Sequence, residues 1–238
     1  MIVLKKQTLS NLAFCFVLIF SAVINFFPEH SSFGTAAPVT NGKIIVIDPG
    51  HGTPDGGATG SGGTLEKDLN LDVAKRLGSY FQQSGAYVIY TREDDNAVCE
   101  DLTDKIKNIK RTDLKNRKNI KNNSNADVFI SIHMNKFEDS RYSGAQVFYQ
   151  NDSHSSKTLA ECVQKSLRQI LDSTNTREAK NAHGSIFILK DNTLPSVLVE
   201  CGFLSNPEEE ALLGTASYRD KIAFAIFGGV SLFLSNNS

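Results

Sequence analysis

Ile44–Gly52 reads IIVIDPGHG: four consecutive β-branched apolar residues run straight into Asp48, Pro49, Gly50, His51 and Gly52. A short apolar run stopped by a Pro-Gly turn describes a buried strand that empties into a tight, glycine-permitted loop. In an open α/β sheet, chemistry collects in the crevice beyond the carboxyl ends of the strands, so the imidazole of His51 is aimed at a site. The rest of the chain can then be searched for groups that meet it.

Gly52–Gly63 holds six glycines and leads to Thr64, Leu65 and Glu66, after which Leu69, Val73, Leu77 and Tyr80 recur at helical spacing. Glu66 therefore opens a helix, which Gly85 closes. Tyr87–Thr91 is a second strand. Leu102, Ile106 and Ile109 suggest a helical turn or two, and Leu114, Arg117 and Ile120 a further helix capped by Thr112. Val128–Ile132 is a third strand, and its next residue is His133, so the pattern at His51 occurs a second time. Ala145–Tyr149 gives a fourth strand, and Leu159, Ala160, Val163, Leu167 and Ile170 mark an amphipathic helix. A short strand at Ile186–Leu189 and a last buried one at Val197–Val199, ending in Glu200, complete the sheet. Asn206, Pro207 and Glu209 read as cap, first-turn proline and capping-box acid, and Ser217 with Asp220 opens the terminal helix in the same way. The expected fold is α/β, one domain over residues 38–238, with a mostly parallel twisted sheet of about six strands and helices on both faces.

Composition bounds the function. A chain of 238 residues with 40% hydrophobic and 21% charged residues is an ordinary globular protein, and a formal net charge of -1 gives no reason to expect a nucleic-acid partner. The basic run Lys105–Lys121 reads first as a solvated helix face and second as attraction toward an anionic polymer or membrane surface. Lys5 and Lys6 followed by apolar Leu12–Phe27 have the layout of a secretory signal or short amino-terminal anchor over residues 1–37, so export is expected, with membrane contact only through that segment. Outside it, Cys99, Cys162 and Cys201 have no C-x-x-C spacing and read as buried free thiols.

His51 and His133 follow two strands and Glu66 begins the helix after the first. Two imidazoles and one carboxylate can thus converge as the His2Glu set of a catalytic zinc, which keeps a fourth position open. Each residue also has a plainer reading: a strand-end histidine satisfied as a polar group, or a glutamate complementing a helix dipole. Glu200 at the mouth of the same sheet is either the proton acceptor that a zinc hydrolase needs or a partner for Arg177, Lys180 or a helix terminus.

Five stretches, IVIDPGHGTPDGGATG, TLEKDLNL, YTRED, ADVFISIHMN and LPSVLVECGFLSNPEEE, in this order and spacing, resemble the zinc-dependent N-acetylmuramoyl-L-alanine amidases of the amidase_3 class from Lys43 to the C-terminus. The resemblance implies that one Zn2+ per chain is bound by His51, Glu66 and His133, and that Glu200 is the catalytic glutamate. It also implies a peptidoglycan substrate, with Arg177 at a position often basic near the cleft. Asp48 or another carboxylate is expected to orient His51. The compact layout is most similar to the germination-specific amidases of spore formers, which act in spore cortex on the way to muramic-δ-lactam. A zinc peptidase acting on wall peptides and a catalytically silent wall-binding module are the alternatives. An exported activator or localising protein is expected as a further partner.

Overall fold

The computed structural model describes residues 38–150, 154–190 and 194–237, so the export segment expected over residues 1–37 lies outside the described residues. Six strands form one sheet: β1 (Ile44–Pro49), β2 (Tyr87–Tyr90), β3 (Val128–Asn135), β4 (Gln146–Tyr149), β5 (Lys180–Asn181) and β6 (Ser196–Phe203). Their order is β2-β1-β3-β6-β4-β5, parallel throughout except for the antiparallel β4–β6 pair. The helices are α1 (Glu66–Gln83), α2 (Ile106–Asn123), α3 (His154–Ile170), α4 (Pro207–Leu213) and α5 (Ala216–Asn236).

Alternation along the central strands divides the apolar residues between two faces. Ile45, Ile47, Val128, Ile130, Ile132, Val197 and Val199 join the larger core, under Val73 and Leu77 of α1, Leu159 and Val163 of α3, and Ile222 and Ile226 of α5. Each such buried side chain contributes roughly 1.5–3 kcal/mol. Gly229 lets α5 approach α3 closely, since a Cβ there would lie 2.5 Å from the Val163 Cα. On the other face Val46, Phe129 and Leu198 meet Ile188 and Leu189 in a small second core, with α2 against the Phe187–Leu189 turn. Because the strand side chains alternate, Asp48, Ser131, His133 and Glu200 share this second face, and the parallel strands β1, β3 and β6 end at one edge.

Several local readings are corrected. Ile186–Leu189 is no strand: Phe187–Leu189 is a single 3-10 turn whose Ile188 and Leu189 cover the small core, and the edge strand is Lys180–Asn181. Helix α2 is continuous from Ile106, with Thr112 inside it. Its buried positions are Ile109, Asp113, Arg117 and Lys121, at strict four-residue spacing, whereas Ile106 and Leu114 are exposed. The basic run is therefore solvated only in part, because Arg117 and Lys121 turn inward to polar groups of the sheet edge and the 3-10 turn. Asn206 caps α4 by accepting from Glu208 N and Glu209 N, but the Glu209 carboxylate accepts from Gly144 N and Phe203 N rather than closing a capping box. Thr215, not Ser217, caps α5, and Asp220 accepts from Tyr80 Oη instead. Cys162 and Cys201 are buried free thiols as expected, while Cys99 is partly exposed. Among the described residues no helix is long and apolar enough to cross a membrane.

Candidate metal centre

Beyond β1 the chain must reverse at once, and it does so through His51 at φ 62° and Gly52 at φ 147°. A positive φ is uncommon for a residue with a Cβ and costs of order 1 kcal/mol, so the surrounding structure must hold it. Glu66 is the first residue of α1, where the helix dipole favours an anion, and is only 4% exposed. His133 projects from within β3, one strand away, two residues before that strand ends at Asn135. The three side chains meet: His51 Nε2 is 3.1 Å from Glu66 Oε2, and His133 Nδ1 is 2.9 Å from Glu66 Oε1. One ligand atom from each lies within 4.8 Å of the others. The two imidazoles stand edge to face, with ring centroids 5.0 Å apart. A two-nitrogen, one-oxygen donor set of this size fits a zinc ion, and three protein ligands are the number found in catalytic zinc sites that take water or substrate as the fourth.

Glu66 and His51 are each held by their own surroundings. Glu66 accepts from Ala58 N at 2.7 Å, Met134 N at 3.1 Å and, more weakly, Asn70 Nδ2 at 3.4 Å. Although burial opposes its ionisation, the hydrogen bonds with His133 and His51 hold its carboxyl well below the usual range. His51 Nδ1 is 2.9 Å from Asp55 Oδ2, so that nitrogen carries the proton and Nε2 is left to ligate. Asp55 is fixed in turn by Lys110 Nζ at 2.9 Å and Gly57 N at 3.1 Å. With no ion bound, hydrogen bonds to Asp55 and Glu66 outweigh the cost of burying the His51 cation and raise its pKa to about 9, so Nε2 then also carries a proton, which metal binding would displace. Asp55 is thus the carboxylate that orients His51. Asp48 does not: it is buried behind the loop and accepts from Thr91 Oγ1 and Ser131 Oγ at 2.6 Å each and from Arg117 Nη1 at 2.7 Å.

Glu200 lies opposite His133 in the β3–β6 register. It is partly exposed as a residue, yet its Oε2 is sealed from solvent and has no hydrogen-bond partner. Burial raises its pKa to about 7, with His133 pulling it down and Glu66 pushing it up. Arg177 gives Nε to Ser143 O and Nη1 to Gln146 Oε1, with its guanidinium 4.6 Å from the Phe203 ring, and no ion pair joins it or Lys180 to Glu200 among the described residues. Because the folded pKa lies above the unfolded value of 4.5, Glu200 favours the fold fully below that value, and this contribution is lost as the pH rises through 7. With metal chelated, Glu200→Gln should therefore be more stable than wild type at pH 8, by up to about 3 kcal/mol, with the gap closing near pH 5. Thermal melts of both proteins across that range check it.

A cavity of about 500 Å³ lies elsewhere, against Gln164, Lys165 and Arg168 of α3, and none of the four candidate residues lines it. The chemistry therefore singles out the sheet edge.

A zinc-type donor set at the end of a parallel sheet, with an unpaired carboxylate beside it, is the equipment of a metallohydrolase. A family model described as Amidase_3, N-acetylmuramoyl-L-alanine amidase, matches residues 45–231. The chain belongs to that family and is an N-acetylmuramoyl-L-alanine amidase. It is 42% identical over 226 residues to the germination-specific N-acetylmuramoyl-L-alanine amidase of Bacillus subtilis (strain 168), covering 95% of this chain and 94% of that protein. Among solved structures it is similar to the CwlD amidase of Clostridioides difficile, solved in complex with the GerS lipoprotein, at 46% identity and TM-score 0.79, covering 82% of this chain and 99% of that one. A second amidase, from Clostridium difficile 630, matches at 32% identity and TM-score 0.72 over 83% of this chain and 100% of that one.

Proposed function

We propose that this amidase is zinc-dependent, that His51, Glu66 and His133 hold the ion, and that Glu200 is its general base and acid. The observation that carries the reading is Glu200 Oε2, buried without a hydrogen bond on the strand next to His133, where three ligand atoms converge. Zinc bound there supplies a Lewis acid that polarises an amide carbonyl and acidifies water. Glu200, with a pKa brought near neutrality by burial, takes the proton of the attacking water and passes it to the departing L-alanine amine. Asp55 keeps the His51 proton on Nδ1, and the Ala58 and Met134 amides hold the Glu66 carboxylate in place.

The likeness to the germination-specific enzyme supports a role in spore cortex, as a step toward muramic-δ-lactam. The reading of residues 1–37 as an export segment and 38–238 as the catalytic part supports action outside the cytoplasmic membrane. The C. difficile relative, solved with a lipoprotein, supports an exported partner for this chain as well. Full wild-type activity of the purified protein alone on cortex would remove the need for one. Mass analysis of muropeptides after digestion of purified cortex tests the reaction. Muramic acid stripped of peptide, with peptides starting at L-alanine, is expected. Cuts inside the peptide would mark a peptidase, and binding without release a silent module.

Gly50 gives a test at one remove from the ligands. A Cβ there would fall 2.2 Å from the His133 Cε1, so Gly50→Ala must displace that ring. Zinc affinity and activity should both fall at least about tenfold, the lower end of the effect of a disturbed ligand support. Metal analysis and rate on one preparation check it.

A further inference from the structure

Pro49, Gly50 and His51 turn three successive carbonyls toward two buried guanidinium groups. Arg117, on α2 and 2% exposed, donates Nη1 to Pro49 O at 2.6 Å and Nη2 to His51 O. Arg92, just past β2 and 5% exposed, donates Nε to Pro49 O and Nη2 to Gly50 O, each at 3.0 Å, and Nη2 also to Lys67 O at 2.8 Å. Arg117 pairs with Asp48 and Asp113, both buried, so two cations and two carboxylates balance with no net charge behind the loop.

These contacts reach all three metal-binding side chains through the backbone. Arg117 holds the carbonyl of His51 itself, the residue whose φ of 62° needs an external restraint. Arg92 holds the carbonyl of Lys67, next to Glu66. Both secure the Gly50 segment, against which the His133 ring packs too closely to admit a Cβ. A guanidinium can do this because its rigid fork carries five donors, whereas a lysine ammonium is a single point on a flexible stem.

We propose that Arg92 and Arg117 are positioning residues, a two-arginine clamp that sets the geometry of the metal centre before any ion arrives. The proposal rests on the zinc reading of the site. Arg92→Lys and Arg117→Lys keep the charge balance but lose the fork. Zinc dissociation constants from chelator competition, taken where circular dichroism shows each protein folded, should weaken 10–100-fold in both. The absorption spectrum of the cobalt-substituted proteins should change with them. Gln164→Leu serves as the control: it removes a buried side chain bonded to Ala145 O and Val147 N on the larger-core side, and should lower stability without moving zinc affinity. Hydrogen exchange on the wild type needs no variant. The Gly50 and Gly52 amides, bonded to Ile132 O at 2.9 Å and Asp55 O at 3.0 Å, should be as protected without zinc as with it. Folded arginine variants with wild-type zinc affinity overturn the clamp, as do loop amides that exchange freely until zinc is added. If both arginine variants fail to fold, the exchange result decides alone. A wild type that binds no zinc sinks the metal assignment, and Gly50 and Gly52 amides that exchange freely in that metal-free protein sink the clamp as well.

Discussion

Glu200→Gln should cut turnover on muramoyl-peptide about 10²–10⁴-fold, the loss typical of a missing general base, while zinc stays near one per chain. Glutamine keeps the size and most of the polarity of the side chain but cannot accept the proton. The same substitution removes a carboxylate that burial holds near pKa 7, so the metal-free variant should gain stability at alkaline pH as its activity collapses. A structural partner of Arg177 or Lys180 would behave in the opposite way, losing stability and keeping its rate. Their contacts already point away from that role, since the Arg177 guanidinium is occupied by Ser143 O, Gln146 Oε1 and the Phe203 ring. Rate, melting temperature and zinc content on one preparation separate the outcomes, and a metal-free Glu200→Gln would show that a ligand had been taken for a base.

His51→Ala and His133→Ala should each purify without zinc and without measurable activity. Either change leaves one imidazole and one carboxylate, and binding free energy built on three ligands does not survive the loss of one. The fold should persist, because both side chains sit at the sheet edge, outside the two apolar cores. His51→Ala also strands Asp55 beside Lys110, and His133→Ala removes the ring packed on Gly50. Full zinc occupancy in either variant, by elemental analysis, contradicts the assignment.

The central strands and the four candidate side chains that meet at their ends were legible in the sequence because each sits where a local pattern changes sign. IIVI stops at a Pro-Gly turn before His51, VFISI stops at His133, SVLV stops at Glu200, and Glu66 opens an apolar period of 3.6. The supporting shell was not legible, because apolarity was the signal and that shell is charged. Asp113, Arg117 and Lys121 repeat every four residues on the inward face of α2, yet in one dimension they look like a solvated basic stripe. Leu114 and Ile120 drew the expected face the wrong way, and Leu114 proves 40% exposed. Of the carboxylates the sequence allowed for, Asp55 rather than Asp48 meets His51, for a related reason. Strand alternation puts Asp48 under the sheet edge toward Arg117, while the turn brings Asp55, four residues after His51, back onto the ring. Ile186–Leu189 failed as a strand because four apolar residues between polar segments look alike whether they pair in a sheet or cap it.

One zinc ion is expected among His51, Glu66 and His133, with Glu200 beside it. Anomalous diffraction from a zinc-grown crystal, collected above and below the zinc absorption edge, tests this most directly. One strong peak per chain is expected, roughly 2.0–2.2 Å from one nitrogen of each histidine and from a Glu66 oxygen, with Glu200 outside coordinating distance. A peak that includes Glu200 in place of one of the three, or none at the sheet edge in a zinc-saturated crystal, contradicts it.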